Sequence, residues 1–192
     1  MPQGAVPVPA GRRGTLVLVV GPSGAGKDSL IAYSRVRVAD EGKVVFPRRF
    51  VTRPPDDGAE DHVPLTEAEF RSRIDDRSFA LHWLAHGLGY GVPVVIADEL
   101  ISGRHVVVNV SRAVIDDARR RFSPILVVSV TAPAGLLADR LRLRGRESSE
   151  RIGRRLQRAS VYDVTGPNVV ALDNSGPIEQ AGEALLGVLR SL

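Results

Sequence analysis

Gly21, Pro22, Ser23, Gly24, Ala25, Gly26, Lys27, Asp28 and Ser29 stand between the apolar run Thr15 to Val20 and the helix-compatible stretch Leu30 to Ala39. Glycines so spaced let the backbone curl until successive N–H groups face inward. The following helix adds positive potential at its N-terminus, and a lysine at the loop's end reaches the outer phosphates of a nucleotide. The segment therefore reads as a phosphate loop, with a nucleoside triphosphate as its ligand. Lysine usage supports this: the chain has only Lys27 and Lys43, and arginine carries every other side-chain cation. A compact ammonium fits a phosphate cradle that a planar guanidinium does not. One position breaks the pattern. Where a Ser or Thr hydroxyl ordinarily follows the lysine and ligates Mg²⁺, this chain has Asp28, and the hydroxyl comes one place later at Ser29. Asp28 and Ser29 are the candidate metal ligands, helix capping being the alternative role for Asp28.

The second concentration of chemistry is Arg140 to Arg158, which carries eight arginines. Gly145 supplies a joint and Ser148 or Ser149 a helix N-cap. Phosphoryl transfer depends on positioning and charge neutralisation, which arginine forks aimed at the moving group provide. Arg144 and Arg155 are the expected catalytic arginines beside Lys27, with residues of about 142–158 forming a lid. Glu/Arg pairs on a solvated helix face account for several of the others, including Arg151 and Arg158.

These residues need a frame. Apolar, β-rich runs at Thr15 to Val20, Val44 to Val51, His105 to Val110, Ile125 to Val130 and Val169 to Leu172 are mostly separated by helical patterns. That alternation predicts a doubly wound α/β domain of the P-loop NTPase kind, its parallel sheet flanked by helices and its ligands at the carboxyl ends of the strands. The length of 192 residues and 43% hydrophobic content suit one domain over 15–192, with 1–14 a disordered leader rich in Pro and Gly. Residues of about 48–92, rich in Pro, Gly, His and Arg, are set apart as an irregular acceptor-binding region. No cysteine and no bilayer-length apolar stretch occur, so a reducing, cytoplasmic setting without a membrane partner is expected. The net charge of +4 is spread among many acidic residues and aromatics make up only 5%, which favours small phosphorylated substrates over nucleic acid.

The phosphate loop, Arg49-Phe-Val-Thr52-Arg53-Pro54, the run Phe79 to Val92 containing Tyr90, and the later pattern R-G-x-x-x-x-E-x-I-x-x-R-L together resemble the guanylate kinase superfamily from about Thr15 to Ser191. The resemblance implies that Arg53 and Tyr90 hold the acceptor's phosphate. Four positions depart from it. Leu81 stands where guanylate kinases place a base-reading glutamate, Asn109 and Ser111 replace two aspartates, and Arg49 replaces a serine. Guanine donors buried without partners cost about 1–3 kcal/mol each, which weakens GMP binding by roughly two orders of magnitude or more. An acceptor without a base, combined with Gly-Lys-Asp-Ser, is similar to one branch of the superfamily, the ribose 1,5-bisphosphate phosphokinases of phosphonate breakdown. That likeness implies ATP and Mg²⁺ as cofactors and a doubly phosphorylated sugar as acceptor, for which Arg49 is a sensible anchor.

A phosphate acceptor is already anionic near neutral pH, so none of His62, His82, His86 or His105 is required as a general base. Trp83 reads as core. The turn Asp173 to Gly176 stands where related kinases bring a loop beside the adenine, turn formation being the equal alternative. The rival readings are a guanylate or other nucleoside monophosphate kinase and a non-catalytic interaction module of guanylate kinase-like fold. The intact Gly26, Lys27 and arginine cluster speak against the module.

Overall fold

Strands buried on both faces should pair in parallel beneath covering helices. The computed structural model describes residues 13–54, 61–143 and 164–192. In it β1 (Leu16–Val20), β2 (Val44–Val45), β7 (His105–Asn109), β8 (Ile125–Thr131) and β9 (Val169–Asp173) form an all-parallel sheet in the order β2-β7-β1-β8-β9. β1 is central, and each of its five side chains is fully buried. Leu16, Leu18 and Val20 turn to one face, packing with α3 (Ile96–Ile101) and α4 (Ile115–Arg121). Val17 and Val19 turn to the other, packing with α1 (Lys27–Arg37) and the C-terminal helix α6 (Ile178–Arg190). The two-residue period of the strand thus builds two cores from one apolar run.

Two expectations change. The stretch Val44 to Val51 is not one strand: β2 ends after two residues, and β3 (Arg49–Val51) lies in a second sheet. Pro47 between them has no N–H to continue the ladder. The region read as irregular is a four-stranded sheet in the order β4-β3-β6-β5, made with β4 (His62–Pro64), β5 (Phe79–Ala85) and β6 (Leu88–Pro93), and accompanied by α2 (Glu67–Asp75). In β5, Leu81 and Trp83 are buried while His82 and Leu84 are exposed, but because Leu84 is apolar the alternation is hidden in the sequence. The β5–β6 hairpin closes through His86 and Gly87, both at positive φ (56° and 77°), as a two-residue primed turn requires. A capping box starts α2: Glu69 N–H donates to Thr66 Oγ1 at 3.2 Å, and Thr66 N–H donates to Glu69 Oε2 at 2.7 Å. The inner face of this sheet, with Leu81, Trp83 and Val92, shares the apolar cluster of Leu18 and Val20, which fixes it against the parallel sheet. Gly14, placed in the leader by sequence, is buried and donates to the Leu100 carbonyl at 2.8 Å, so it already belongs to the fold.

At the amino end of the parallel sheet, Thr15 N–H donates to His105 Nδ1 at 3.0 Å, which needs a neutral imidazole. Burial, and secondarily Lys43, holds the His105 pKa below its ordinary value. The unfolded chain, titrating near pH 6.5, therefore takes up the proton first, so stability is expected to decline as pH falls below about 6.5 and to level off below the lowered folded value. Thermal melts of the wild type between pH 7.5 and 5 should show this decline, and His105→Gln, with an acceptor that does not titrate, should flatten it.

Candidate active site

The carboxyl end of β1 runs directly into the glycine loop. Gly21, Gly24 and Gly26 take φ values of 146°, 87° and 85°, in the region that L side chains rarely adopt. Gly26 precedes the first residue of α1, and the Leu30 N–H donates to its carbonyl at 3.0 Å. Ala25 N–H closes the turn on the Pro22 carbonyl at 3.2 Å. Lys27 curls back over the loop, its Nζ donating to the carbonyls of Gly21 at 2.8 Å and Pro22 at 3.0 Å. Lys27 therefore stands over the cradle that its own loop encloses, with Pro22 and Ser23 half-buried in the loop's wall and Ser29 exposed in the first turn of α1.

Asn174, immediately after β9, braces this loop from below. Only 2% exposed, it donates from its main chain to the Thr131 carbonyl at 2.8 Å and from Nδ2 to the Ala25 carbonyl at 2.7 Å. In a trans peptide the C=O and the next N–H point in opposite directions, so tying the Ala25 carbonyl to Asn174 turns the Gly26 N–H the other way. Sequence reasoning marked Asp173 to Gly176 as a turn or an adenine contact and missed this brace. Its only sequence signal was the position of the asparagine just after a strand end. A Cβ on Gly26 would collide with the Asn174 amide. The left-handed backbone costs a further ~1–2 kcal/mol for alanine. Gly26→Ala is therefore expected to weaken nucleotide binding at least about tenfold by calorimetry. Gly42→Ala is the control: its φ is 64° with nothing within 4 Å of the added carbon, so it should lower the melting temperature and leave nucleotide affinity intact.

The middle segment supplies a second cationic centre beside the loop. Arg49 of β3 is 8% exposed, and its Nη1 donates to the main-chain carbonyl of Asn109 at 2.6 Å, the last residue of β7. Asn109 in turn donates from Nδ2 to Asp28 Oδ1 at 2.6 Å, and Arg49 Nη2 lies 3.9 Å from the same oxygen. The guanidinium faces the rings of Tyr90 and Trp83 at 5.6 and 5.9 Å, and these stack on each other at 5.4 Å and 4°. Cross-strand pairing explains the stack, since Trp83 and Tyr90 are register partners in β5 and β6. Trp83 is thus core and also a wall of the cationic centre. Leu81 is fully buried in the apolar cluster.

Other expected residues fall out differently. Arg53 follows β3, where its carbonyl meets His62 Nε2 at 3.2 Å. Arg48 is tied to Asp61 at 2.6 Å and to the His62 carbonyl at 2.7 Å. Ser111 accepts from Ala113 N–H at 3.3 Å and caps a short helical turn. Arg144 and Arg155, with most of the expected lid, lie outside the described residues.

The site's parts fit a polyphosphate: a glycine cradle with no room for a side chain at Gly26, and a lysine over it. Among the described residues no three His, Cys, Asp or Glu side chains converge, so any Mg²⁺ would take most of its oxygens from phosphate and water, as it commonly does beside nucleotides.

No family model matches the chain. Among curated proteins it is 53% identical over 178 residues to the ribose 1,5-bisphosphate phosphokinase PhnN of Acidiphilium cryptum, covering 93% of each chain. It is 44% identical over 189 residues to the protein of the same name from Chelativorans sp., covering 98% of this chain and 90% of the relative. The counterpart from Bradyrhizobium diazoefficiens is 46% identical over 178 residues, covering 93% of this chain and 89% of the relative. Among solved structures, the guanylate kinase from Anaplasma phagocytophilum superposes with a TM-score of 0.65 at 18% identity, covering 94% of this chain and 86% of that one. A sugar kinase from Janibacter sp. reaches 0.52 at 20% identity, covering 92% and 95%. These two likenesses speak for the fold alone: a parallel sheet flanked by helices around a phosphate loop.

Proposed function

This chain belongs to the ribose 1,5-bisphosphate phosphokinase family, and from that premise we propose that it moves the terminal phosphoryl group of ATP onto the 1-phosphate of ribose 1,5-bisphosphate. The products are 5-phosphoribosyl 1-diphosphate and ADP. An oxygen of the sugar's 1-phosphate attacks the γ-phosphorus, a new P–O bond forms, and the bond to the β,γ-bridging oxygen breaks with its electrons leaving on ADP. The attacking phosphate is already anionic at neutral pH, so no residue has to remove a proton.

Each part of the site has work in this reading. Main-chain N–H groups of the loop Gly21 to Ser29, other than Pro22, which has none, and Ala25, whose N–H is bonded to the Pro22 carbonyl, hold the β- and γ-phosphates together with the Lys27 ammonium, with Asn174 fixing the loop beneath them. Asp28 or Ser29 would ligate Mg²⁺, which supplies charge neutralisation at the outer phosphate oxygens when bound. Arg49, Arg53 and Tyr90 anchor the phosphorylated sugar, and Arg144 and Arg155 stabilise the charge on the transferring group. The observation that carries the reading is the buried Arg49 guanidinium joined through Asn109 and Asp28 to the phosphate loop, which supports a second phosphate-binding centre beside the first. Leu81, buried among apolar side chains, offers a nucleobase no hydrogen bond and supports an acceptor without a base. Among the described residues no helix is long and apolar enough to cross a membrane, in keeping with a cytoplasmic enzyme acting on a small molecule.

Phosphorus NMR with ATP and Mg²⁺, offering ribose 1,5-bisphosphate and GMP in parallel, tests this. A diphosphate signal in the sugar sample alone is expected. Turnover of GMP in its place would overturn the assignment.

A further inference from the structure

The residue that breaks the phosphate-loop pattern is the one whose carboxylate leaves the loop. Asp28 Oδ1 accepts from Asn109 Nδ2 at 2.6 Å, and the Asn109 carbonyl accepts from Arg49 Nη1 at 2.6 Å, so one residue is gripped from both sides. Asn109 is itself held in register, opposite Val19 of the central strand, and transmits position between α1 and β3 with little freedom. The Arg49 side chain is only 9% exposed, and a guanidinium taken so far from water needs a counter-charge and filled donors. Asp28, 3.9 Å away, supplies that charge. A serine or threonine in its place has neither the charge nor the length to do so.

We propose that Asp28 is a positioning residue of the acceptor site: acting directly and through Asn109, it sets the Arg49 guanidinium against the Trp83–Tyr90 stack, where Arg49 receives the acceptor's phosphate. The aspartate after Lys27 thereby ties the loop that holds the donor to the cation that holds the acceptor. This rests on the acceptor reading given above for Arg49.

The test uses Asp28→Ser, which restores the hydroxyl ordinarily found after the lysine, and the near-isosteric Asp28→Asn, with thermal melts confirming that both fold. Trp83 is the single tryptophan of the chain, so its emission reports on the stack and on the cation facing it. Three results are expected. Trp83 emission shifts in both unliganded variants. Ribose 1,5-bisphosphate, titrated without ATP or Mg²⁺, binds at least about tenfold more weakly, the scale of one lost charge-assisted contact. The weakening of the acceptor is of the same size with and without added Mg²⁺, which a role confined to the metal would not give. In an Arg49→Ala background, Asp28→Ser should weaken the acceptor no further, because both changes break the same linkage. Wild-type acceptor affinity and emission in Asp28→Ser would overturn the proposal, as would a loss confined to Mg²⁺-dependent ATP binding. If the wild-type protein fails to bind ribose 1,5-bisphosphate, the substrate reading fails. The Trp83 emission of the unliganded variants then decides whether Asp28 positions Arg49.

Discussion

Replacing Arg144 or Arg155 with alanine is expected to lower turnover by at least about a hundredfold, against the ~10³ to 10⁵ span of arginines that stabilise a transferring phosphoryl group. The helix that precedes this segment in the chain, α5 (Ala134–Leu143), packs on the phosphate loop: Arg140 Nη1 lies 3.5 Å from the Gly24 carbonyl, and a carbon added at Gly24 would stand 3.1 Å from the Leu137 carbonyl and 3.4 Å from Leu141 Cγ. An arginine that acts on the charge developing in transfer should lower kcat and kcat/KM together while leaving equilibrium ATP binding nearly unchanged. Steady-state kinetics beside calorimetric binding separates the two. A loss below about fivefold, or one seen only in KM, would remove these residues from the catalytic set.

Lys27→Ala should cost about 10²- to 10³-fold in kcat/KM, the scale of one lost preorganised donor at a reacting oxygen. Unlike the arginine variants, it should also weaken ATP binding, because the ammonium neutralises phosphate in the ground state as well. Lys27→Arg should not restore activity. The lysine reaches the carbonyls of Gly21 and Pro22 within a tightly curled loop, and a planar fork cannot enter that space with its donors satisfied. Its fold should survive: the loop is braced independently by Asn174, and α1 keeps its Leu30 to Gly26 hydrogen bond. Near-wild-type kcat/KM in Lys27→Ala would mean that the nucleotide is held elsewhere.

Much of the site was legible because its signals are local. Nine consecutive residues between an apolar run and a helix specify the phosphate loop, and the backbone curl expected of its glycines is met by positive φ at Gly21, Gly24 and Gly26. The parallel α/β class followed equally from short apolar runs, since a strand buried on both faces needs no partner to reveal itself in composition. The acceptor sheet was not legible. β3 and β4 are three residues each, and in β5 the exposed Leu84 disguises a half-buried strand.

By itself, then, the sequence determined the phosphate loop, the fold class and the arginine-rich segment, together with the absence of a carboxylate at position 81. The tertiary structure alone decided where Asp28, Asn109, Arg49 and Asn174 lie and what they bond to. The Asn109–Asp28 bond spans 81 positions of chain, Arg49 to Asn109 spans 60, and Asn174 to Ala25 spans 149. No spacing rule reaches that far. These side chains meet because β7 and β9 end at the same edge of the sheet as β1, and because a small second sheet shares its core, so their contacts are set by packing rather than by neighbours in sequence.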